Sequence, residues 1–259
     1  MYSDYLVPAM FAPLCELLLE RAQPKPGAHV LDIACGTGVV TRRLAALIGP
    51  AGRIAGLDLS PGMIEVAKSI PTRGPAKIEW HIGTGLDLPF GAAEFDLVTC
   101  QQGLQFFPDR AKGLDEMHRV LAPGGRIALA IWGPMERAPL HRAVEDAVQK
   151  RIGVSMYGTP FSLSDPAELR SLVTRARFAV EVFETIELRC RYTQPERWIE
   201  FNVQGAAAAI PSVAALSPAE RDALARGLDE DLQPIVDSYV ESGMVVAPLE
   251  TVLVVARRT

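Results

Sequence analysis

Asp32, the turn Gly36-Thr37-Gly38 and Asp58 are the residues whose types and spacing can do chemistry here. Without a Cβ, Gly36 and Gly38 let the backbone approach a ligand and adopt φ values that other residues avoid. A helix opening directly behind them points its free N–H groups at the same place. Asp32, just upstream, sets the opposite sign beside those donors. Asp58 follows Gly38 by about 20 residues, the distance at which an acid accepts hydrogen bonds from a ribose diol. Both signs around one glycine turn suit a small zwitterionic nucleoside.

The elements that must position these residues alternate between strand and helix. Apolar runs at His29–Ala34, Arg53–Leu59, Lys77–Ile82, Phe95–Cys100 and Arg126–Trp132 are of strand length and separated by helix-length patterns. A parallel sheet covered on both faces reads this way. Ser60-Pro61 and Ser217-Pro218 pair a capping hydroxyl with proline at the first helical position, and Glu220 completes a capping box. A helix begins near Asp109, and Pro123-Gly124-Gly125 is read as its end and as the turn into the fifth strand. Beyond Trp132 we expect helices near Pro139–Arg151 and from Asp165-Pro166, a strand at Phe178–Leu188 and a last strand at Thr251–Arg257. A mostly helical insertion of residues 194–242, holding the alanine run Ala206–Ala209, is too long for a simple connection and is the expected substrate lid.

The expectation is one α/β domain over residues 1–259: a Rossmann-like, seven-stranded, mostly parallel sheet with helices on both faces and a helical insertion before the last strand. Residues 1–134 would form the cofactor-binding half and residues 135–259 the substrate-binding half. A net charge of −5 gives no electrostatic footprint for nucleic acid or an anionic membrane. No apolar run reaches the length of a membrane span, and four cysteines without a CxxC pair suit a reducing, cytoplasmic setting. The histidines carry no metal-ligand spacing, and oligomeric state is not legible.

In an open parallel sheet, ligands bind beyond the carboxyl ends of the strands, where the strand order reverses. Strand three ends at Gly83-Thr84-Gly85-Leu86 and strand four at Cys100-Gln101-Gln102, both placed to line the base and amino-acid ends of a nucleoside. Met63, one turn into the helix after Asp58, can cover an adenine face. A dinucleotide remains the competing ligand. Its fingerprint wants a third small residue where Thr41 stands, and a carboxylate at Asp32 would face pyrophosphate. No Tyr-x-x-x-Lys pair, GxxxxGK[ST] loop, HExxH or GxSxG elbow occurs.

Four blocks in order carry a family resemblance: VLDIACGTG at Val30–Gly38, GLDLSPGMIEVAK at Gly56–Lys68, LPFGAAEFDLV at Leu88–Val98 and MHRVLAPGGRIAL at Met117–Leu129. The chain resembles the class I S-adenosylmethionine-dependent methyltransferases, in particular the group similar to the ubiquinone and menaquinone C-methyltransferases. The resemblance implies that Gly36, Thr37 and Gly38 approach the methionine portion of S-adenosylmethionine, with Asp32 near its ammonium. It implies that Asp58 holds the ribose hydroxyls, that Leu59 and Met63 cover the adenine from one side and Gly85-Leu86 from the other, and that the Gln101 carbonyl faces the ammonium. Tyr5 falls in the N-terminal segment that closes over the cofactor in this family. Where the family has an acid after the strand-three glycine, this chain has Thr84, so the adenine amino group loses a charged acceptor.

The implied activity is in-line transfer of a methyl group to a small-molecule acceptor through an oxygen, nitrogen or carbon that the sequence does not specify. Gln102, Gln105, Phe106, Phe107 and Trp132 follow strands four and five on the ligand side, and their aromatic and amide groups suit a mostly apolar acceptor. His141 opens the helix after Trp132 and is the titratable candidate. Phenylalanines and a histidine at such positions also serve as plain core. Two alternatives stand beside this reading: binding of S-adenosylmethionine without methyl transfer, and an NAD-dependent oxidoreductase.

Overall fold

The computed structural model describes residues 2–207 and 210–259; Met1, Ala208 and Ala209 lie outside it, so the end of the alanine run is not described. A π-helical segment, Tyr2–Phe11, leads into α1 (Ala12–Ala22). Alternation then follows through β1 (His29–Ile33), α2 (Val39–Leu47), β2 (Arg53–Asp58), α3 (Pro61–Ser69), β3 (Lys77–Ile82), β4 (Phe95–Gln101), α4 (Arg110–Val120) and β5 (Leu121–Trp132). The remainder comprises α5 (Pro139–Ile152), α6 (Pro166–Arg175), β6 (Phe178–Tyr192), α7 (Trp198–Ala206), α8 (Pro211–Ala214), α9 (Pro218–Asp237), β7 (Val240–Glu241) and β8 (Met244–Arg258).

The sheet runs β3-β2-β1-β4-β5-β8-β6, with the two-residue β7 paired to β8. β1 pairs in parallel with β2 (Leu31 opposite Ala55) and with β4 (Leu31 opposite Val98). β2–β3 and β4–β5 are also parallel, whereas the β7–β8 hairpin is antiparallel. The first three strands step outward from β1 in one direction, and β4 to β5 step in the other. Because parallel crossovers are right-handed, these opposite directions put the connecting helices on opposite faces. The strand order therefore reverses between β1 and β4, which marks where a ligand site forms.

The described chain divides into two compact units. The sheet unit comprises Leu14–Ile131, Asp165–Ile186 and Thr251–Thr259. Its centre is β1 and β4, where Val30, Leu31, Ile33, Leu97, Val98 and Cys100 are all buried. Its helix starts follow local chemistry: the Ser60 side chain accepts from Met63 N, and Asp109 and Asp165 cap α4 and α6.

The helical unit comprises the N-terminal residues to Pro13, Trp132–Ser164 and Glu187–Glu250. α7 is its centre, and seven of its nine residues are buried, as expected for a helix that is apolar nearly all round. Gly205 lets the N-terminal segment lie close, since a Cβ there would stand 2.4 Å from Leu6 Cδ1. Arg151 of α5 pairs with Asp231 of α9 at 2.8 Å, and Ser217 with Glu220 closes the capping box that starts α9.

Three boundaries differ from the sequence reading. β5 starts at Leu121, ahead of Pro123-Gly124-Gly125: Leu121 pairs with Phe95, the register then jumps to Arg126 opposite Leu97, and Gly124 at φ 75° turns the excess residues out as a bulge. β8 starts at Met244 because the apolar run Met244–Leu249 continues through Pro248, which argues against a strand when read locally. β6 extends past Leu188 to Tyr192, its last residues alternating buried and exposed.

Candidate functional site

The predicted cofactor residues other than Tyr5 lie in the sheet unit, at or beyond the carboxyl ends of β1, β2, β3 and β4. Two non-glycine residues there adopt left-handed backbone: Ala34 after β1 (φ 54°) and Gln102 after β4 (φ 55°). Each costs the chain of order 1 kcal/mol or more, and they flank the point where strand order reverses.

Asp32, one residue before the end of β1, is buried, 1 % exposed, with one carboxylate oxygen accepting from Thr41 Oγ1 at 2.5 Å and the other from Thr99 Oγ1 at 2.7 Å. Burial raises its pKa to about 6; the two threonine hydroxyls pull it back down, and the Asp58 charge adds a smaller upward push. Thr41, read above as the missing third small residue of a dinucleotide fingerprint, is thus the partner of this carboxylate. The sequence also left Thr99 unnoticed, although it sits opposite Asp32 in the β1–β4 register.

Asp58 is half-buried and ties the turn together. Its Oδ2 accepts from Gly36 N at 2.8 Å and its Oδ1 from Ser60 N at 2.9 Å. Each oxygen keeps a further lone pair for an outside donor. The turn is also held by Cys35 N donating to Leu57 O at 3.1 Å and Gly38 N to Cys35 O at 2.8 Å.

The two turn glycines have different reasons to be glycine. Gly36 (φ 55°) faces open space, with nothing within 4 Å of where a Cβ would stand. At Gly38 (φ 83°) a Cβ would stand 2.4 Å from Trp80 Cη2, because the Trp80 ring lies across Gly56 and reaches the start of α2. Gly38 accommodates protein; Gly36 leaves room for something else. Thr37 is buried behind them.

Beside Asp58 the surface is apolar and open. Leu59 is 73 % exposed and Ile82, in register with Asp58 on β3, is 57 % exposed. Ile82 was not among the predicted residues, and its signal was an apolar residue ending a strand in register with Asp58. Met63 and Leu86 are half-buried. Gly85 is buried under Phe107, whose ring also lies against Gly113. Thr84 directs its hydroxyl inward, accepting from Leu86 N at 3.2 Å, so it shapes its own turn.

Gln101 pairs with Ala130 as β4 ends, and Gln102 N donates to Ala130 O at 2.8 Å. Gln102 Nε2 donates to Thr251 Oγ1 at 3.3 Å and its Oε1 accepts from Gln105 Nε2 at 2.9 Å. Thr251 in turn donates to Ile131 O at 2.9 Å, so the amides form a buried chain across β4, β5 and β8. Phe106 is half-buried in a short turn of helix.

Tyr5, Trp132 and His141 belong to the helical unit. Trp132 packs with Phe11 at 6.2 Å between ring centroids. His141 is buried among Tyr157 (5.1 Å), Phe161 (6.0 Å) and Trp198 (6.3 Å), and desolvation lowers its pKa to about 4. Tyr5 packs on Phe201 at 4.2 Å and Tyr192 at 5.7 Å, and burial raises its hydroxyl well above the ordinary value.

The residues of the sheet unit fit S-adenosylmethionine on their own chemistry. An open glycine backbone suits the amino-acid end, a carboxylate with spare lone pairs suits a diol, and exposed aliphatic surface beside it suits a base. Among the described residues, no cluster of histidines, cysteines and acids could hold a metal ion.

Comparison with known proteins gives the same direction. Residues 30–125 match the family model for a methyltransferase domain. A nocamycin O-methyltransferase from Saccharothrix syringae is 29 % identical over 201 residues, covering 69 % of this chain and 70 % of that protein. A demethylmenaquinone methyltransferase from Symbiobacterium thermophilum is 40 % identical over 116 residues, 44 % of this chain. The matched region spans 46 % of that relative, so less than half its length is represented here. A Haemonchus contortus phosphoethanolamine N-methyltransferase 2, solved with phosphomonomethylethanolamine and S-adenosylhomocysteine, shares the fold at TM-score 0.56 and 20 % identity, covering 95 % of this chain and 52 % of that one. With its motifs, sheet order and relatives in agreement, residues 30–125 form a methyltransferase domain of the class I S-adenosylmethionine-dependent kind, whose methyl donor is S-adenosylmethionine.

Proposed function

We propose that this protein transfers a methyl group by in-line displacement to a small-molecule acceptor, and that the sheet unit binds the donor. The observation that carries the reading is the open Gly36 backbone beside Asp58, with exposed Leu59 and Ile82 next to it. When bound, S-adenosylmethionine supplies an electrophilic sulfonium methyl. The protein then has to orient and to exclude water, and orientation is worth about 7–11 kcal/mol when the geometry is good. Asp58 holds the ribose while fixing the turn. Asp32 supplies negative charge behind the turn, and Leu59, Ile82, Met63 and Leu86 cover the base. Thr84 leaves the adenine held by apolar contact and backbone.

In this reading residues 1–134 serve the donor and residues 135–259 serve the acceptor. Two of the relatives are named for nocamycin and demethylmenaquinone, which supports a small-molecule acceptor here. The net charge of −5 supports the same choice over nucleic acid. Four free, buried cysteines support a reducing, cytoplasmic setting. No helix among the described residues is long and apolar enough to cross a membrane.

Incubation with methyl-labelled S-adenosylmethionine and a panel of phenols, quinols, amines and carboxylates tests the transfer. Label is expected in a member of the panel. Tight donor binding with no label in any member would favour a binding protein without methyl transfer.

A further inference from the structure

The turn after β3, residues 83–86, is tied to the rest of the sheet unit at its two ends. Gly83 N donates to Asp58 O at 3.0 Å, and Leu88 N, just beyond the turn, donates to Glu116 Oε2 at 2.8 Å. Between those ties its hydrogen bonds close on the turn itself: Leu86 N donates to Thr84 Oγ1 at 3.2 Å and Asp87 N to Thr84 O at 3.5 Å. Where Gly85 and Leu86 stand over the site is therefore decided by packing.

The turn packs on Phe107. A Cβ on Gly85 would stand 2.3 Å from Phe107 Cζ and 2.5 Å from its Cε2. The same ring meets α4, where a Cβ on Gly113 would stand 2.4 Å from Phe107 Cδ2 and 3.7 Å from Leu86 Cδ2. Gly113 lies inside a helix, where alanine is the better residue by propensity, and the ring occupies the place of the alanine methyl. Phe107 is itself placed from the centre of the sheet. It follows β4 by a short turn in which Phe107 N donates to Leu104 O at 3.1 Å and Gln102 N to Ala130 O of β5 at 2.8 Å, while the Gln102 side chain reaches Thr251 of β8 at 3.3 Å.

We propose that Phe107 is a positioning residue for the methyl donor rather than a contact for the acceptor: it props residues 83–86 at the height where Gly85 and Leu86 close on the base. This rests on the donor reading above. A turn held in place before binding has less conformational freedom to lose when the ligand arrives, so the ring raises donor affinity without touching the donor. The stretch 102–107 then ties the two ends of one ligand together, because it begins beside Gln101 at the amino-acid end and finishes under the turn at the base. Without the ring, Asp58 keeps its bonds to Gly36 N and Ser60 N, so the ribose contact survives and the base contact loosens. The loss is partial.

A double-mutant cycle read in S-adenosylhomocysteine affinity tests this, by calorimetry on the full chain with circular dichroism to confirm that each variant is folded. Gly85→Ala drives a methyl into Phe107 Cζ and Cε2 and is expected to weaken binding about tenfold or more. Phe107→Leu lacks both of those atoms and is expected to weaken it by about two- to fivefold. In the double variant the leucine leaves room for the methyl, and affinity should return to within about fivefold of the wild type. Gly113→Ala presses on the same ring from α4 while favouring the helix, and should weaken binding by about threefold, which keeps the test decisive should Gly85→Ala fail to fold. A ring that serves stability alone would move thermal midpoints and leave the affinities of the folded variants equal, overturning the proposal. A double variant no tighter than Gly85→Ala would overturn it as well, since the methyl would then be meeting the ligand directly. Failure of the wild type to bind S-adenosylhomocysteine overturns the donor reading, and the role of Phe107 with it.

Discussion

At the carboxyl ends of β1, β2 and β4, the key acidic side chains are partnered: Thr41 and Thr99 serve Asp32, and Gly36 N and Ser60 N serve Asp58. In the helical unit's aromatic cluster, Tyr5 Oη, His141 Nδ1 and Trp198 Nε1 meet no hydrogen-bonding partner among the described residues. The first region is organised before anything binds, and what it leaves open is a backbone surface at Gly36. The second is incomplete by itself. A site whose ligand never changes can be prebuilt by local hydrogen bonds.

Breaking the prebuilt region at its open point should have the largest effect. Gly36→Val puts a branched side chain at φ 55° into the open volume, costing the fold about 1–2 kcal/mol. Binding of S-adenosylhomocysteine should fall more than about 100-fold, because the side chain occupies the ligand's place. Calorimetry on the folded variant checks this, and normal binding would move the site away from the turn.

A smaller effect concerns Asp32. Its folded pKa of about 6 lies above the ordinary carboxylate value, so between about pH 4 and 6 the native state holds the proton more tightly than the unfolded chain. Its contribution to stability is full at acid pH and is lost as pH rises through 6, by something on the order of 2 kcal/mol. Urea unfolding at pH 4 and at pH 6.5 should show that loss in the wild type and less of it in Asp32→Asn. Equal pH dependence would mean the carboxylate is not held in this desolvated state.

The smallest expected effect is at the open apolar surface. Leu59→Ser should leave the thermal midpoint nearly unchanged, since the side chain is exposed. It should weaken S-adenosylhomocysteine by about 1 kcal/mol, the value of some 40 Å² of lost apolar contact. A competition titration against the wild type measures this difference.

The two regions also differ in how much of them the sequence displayed. The glycine turn, Asp58 and the strand–helix alternation depend on local rules, with φ values, capping and period all acting within a few residues, and these elements lie close to where the residues put them. Thr41 was legible as a departure from the dinucleotide fingerprint, but its hydrogen bond to Asp32 is seen only in the folded chain. Trp80 as the reason for Gly38 needed the β2–β3 register. The aromatic cluster needed still more. Tyr5, His141, Tyr192 and Trp198 are far apart in the chain, and only tertiary packing brings their rings together. β8 ran longer than expected because Pro248 sits inside a strand whose flanking residues are buried by distant segments.

The central claim is that the sheet unit binds the methyl donor through Asp58 and the turn it holds. Calorimetric titration of S-adenosylhomocysteine into the wild type and Asp58→Ala, with circular dichroism to confirm that both are folded, tests it most directly. The account predicts binding to the wild type and affinity about 10- to 100-fold weaker in the variant, since a charged acceptor is lost. Equal affinity in the two proteins, or no binding to the wild type, would contradict it.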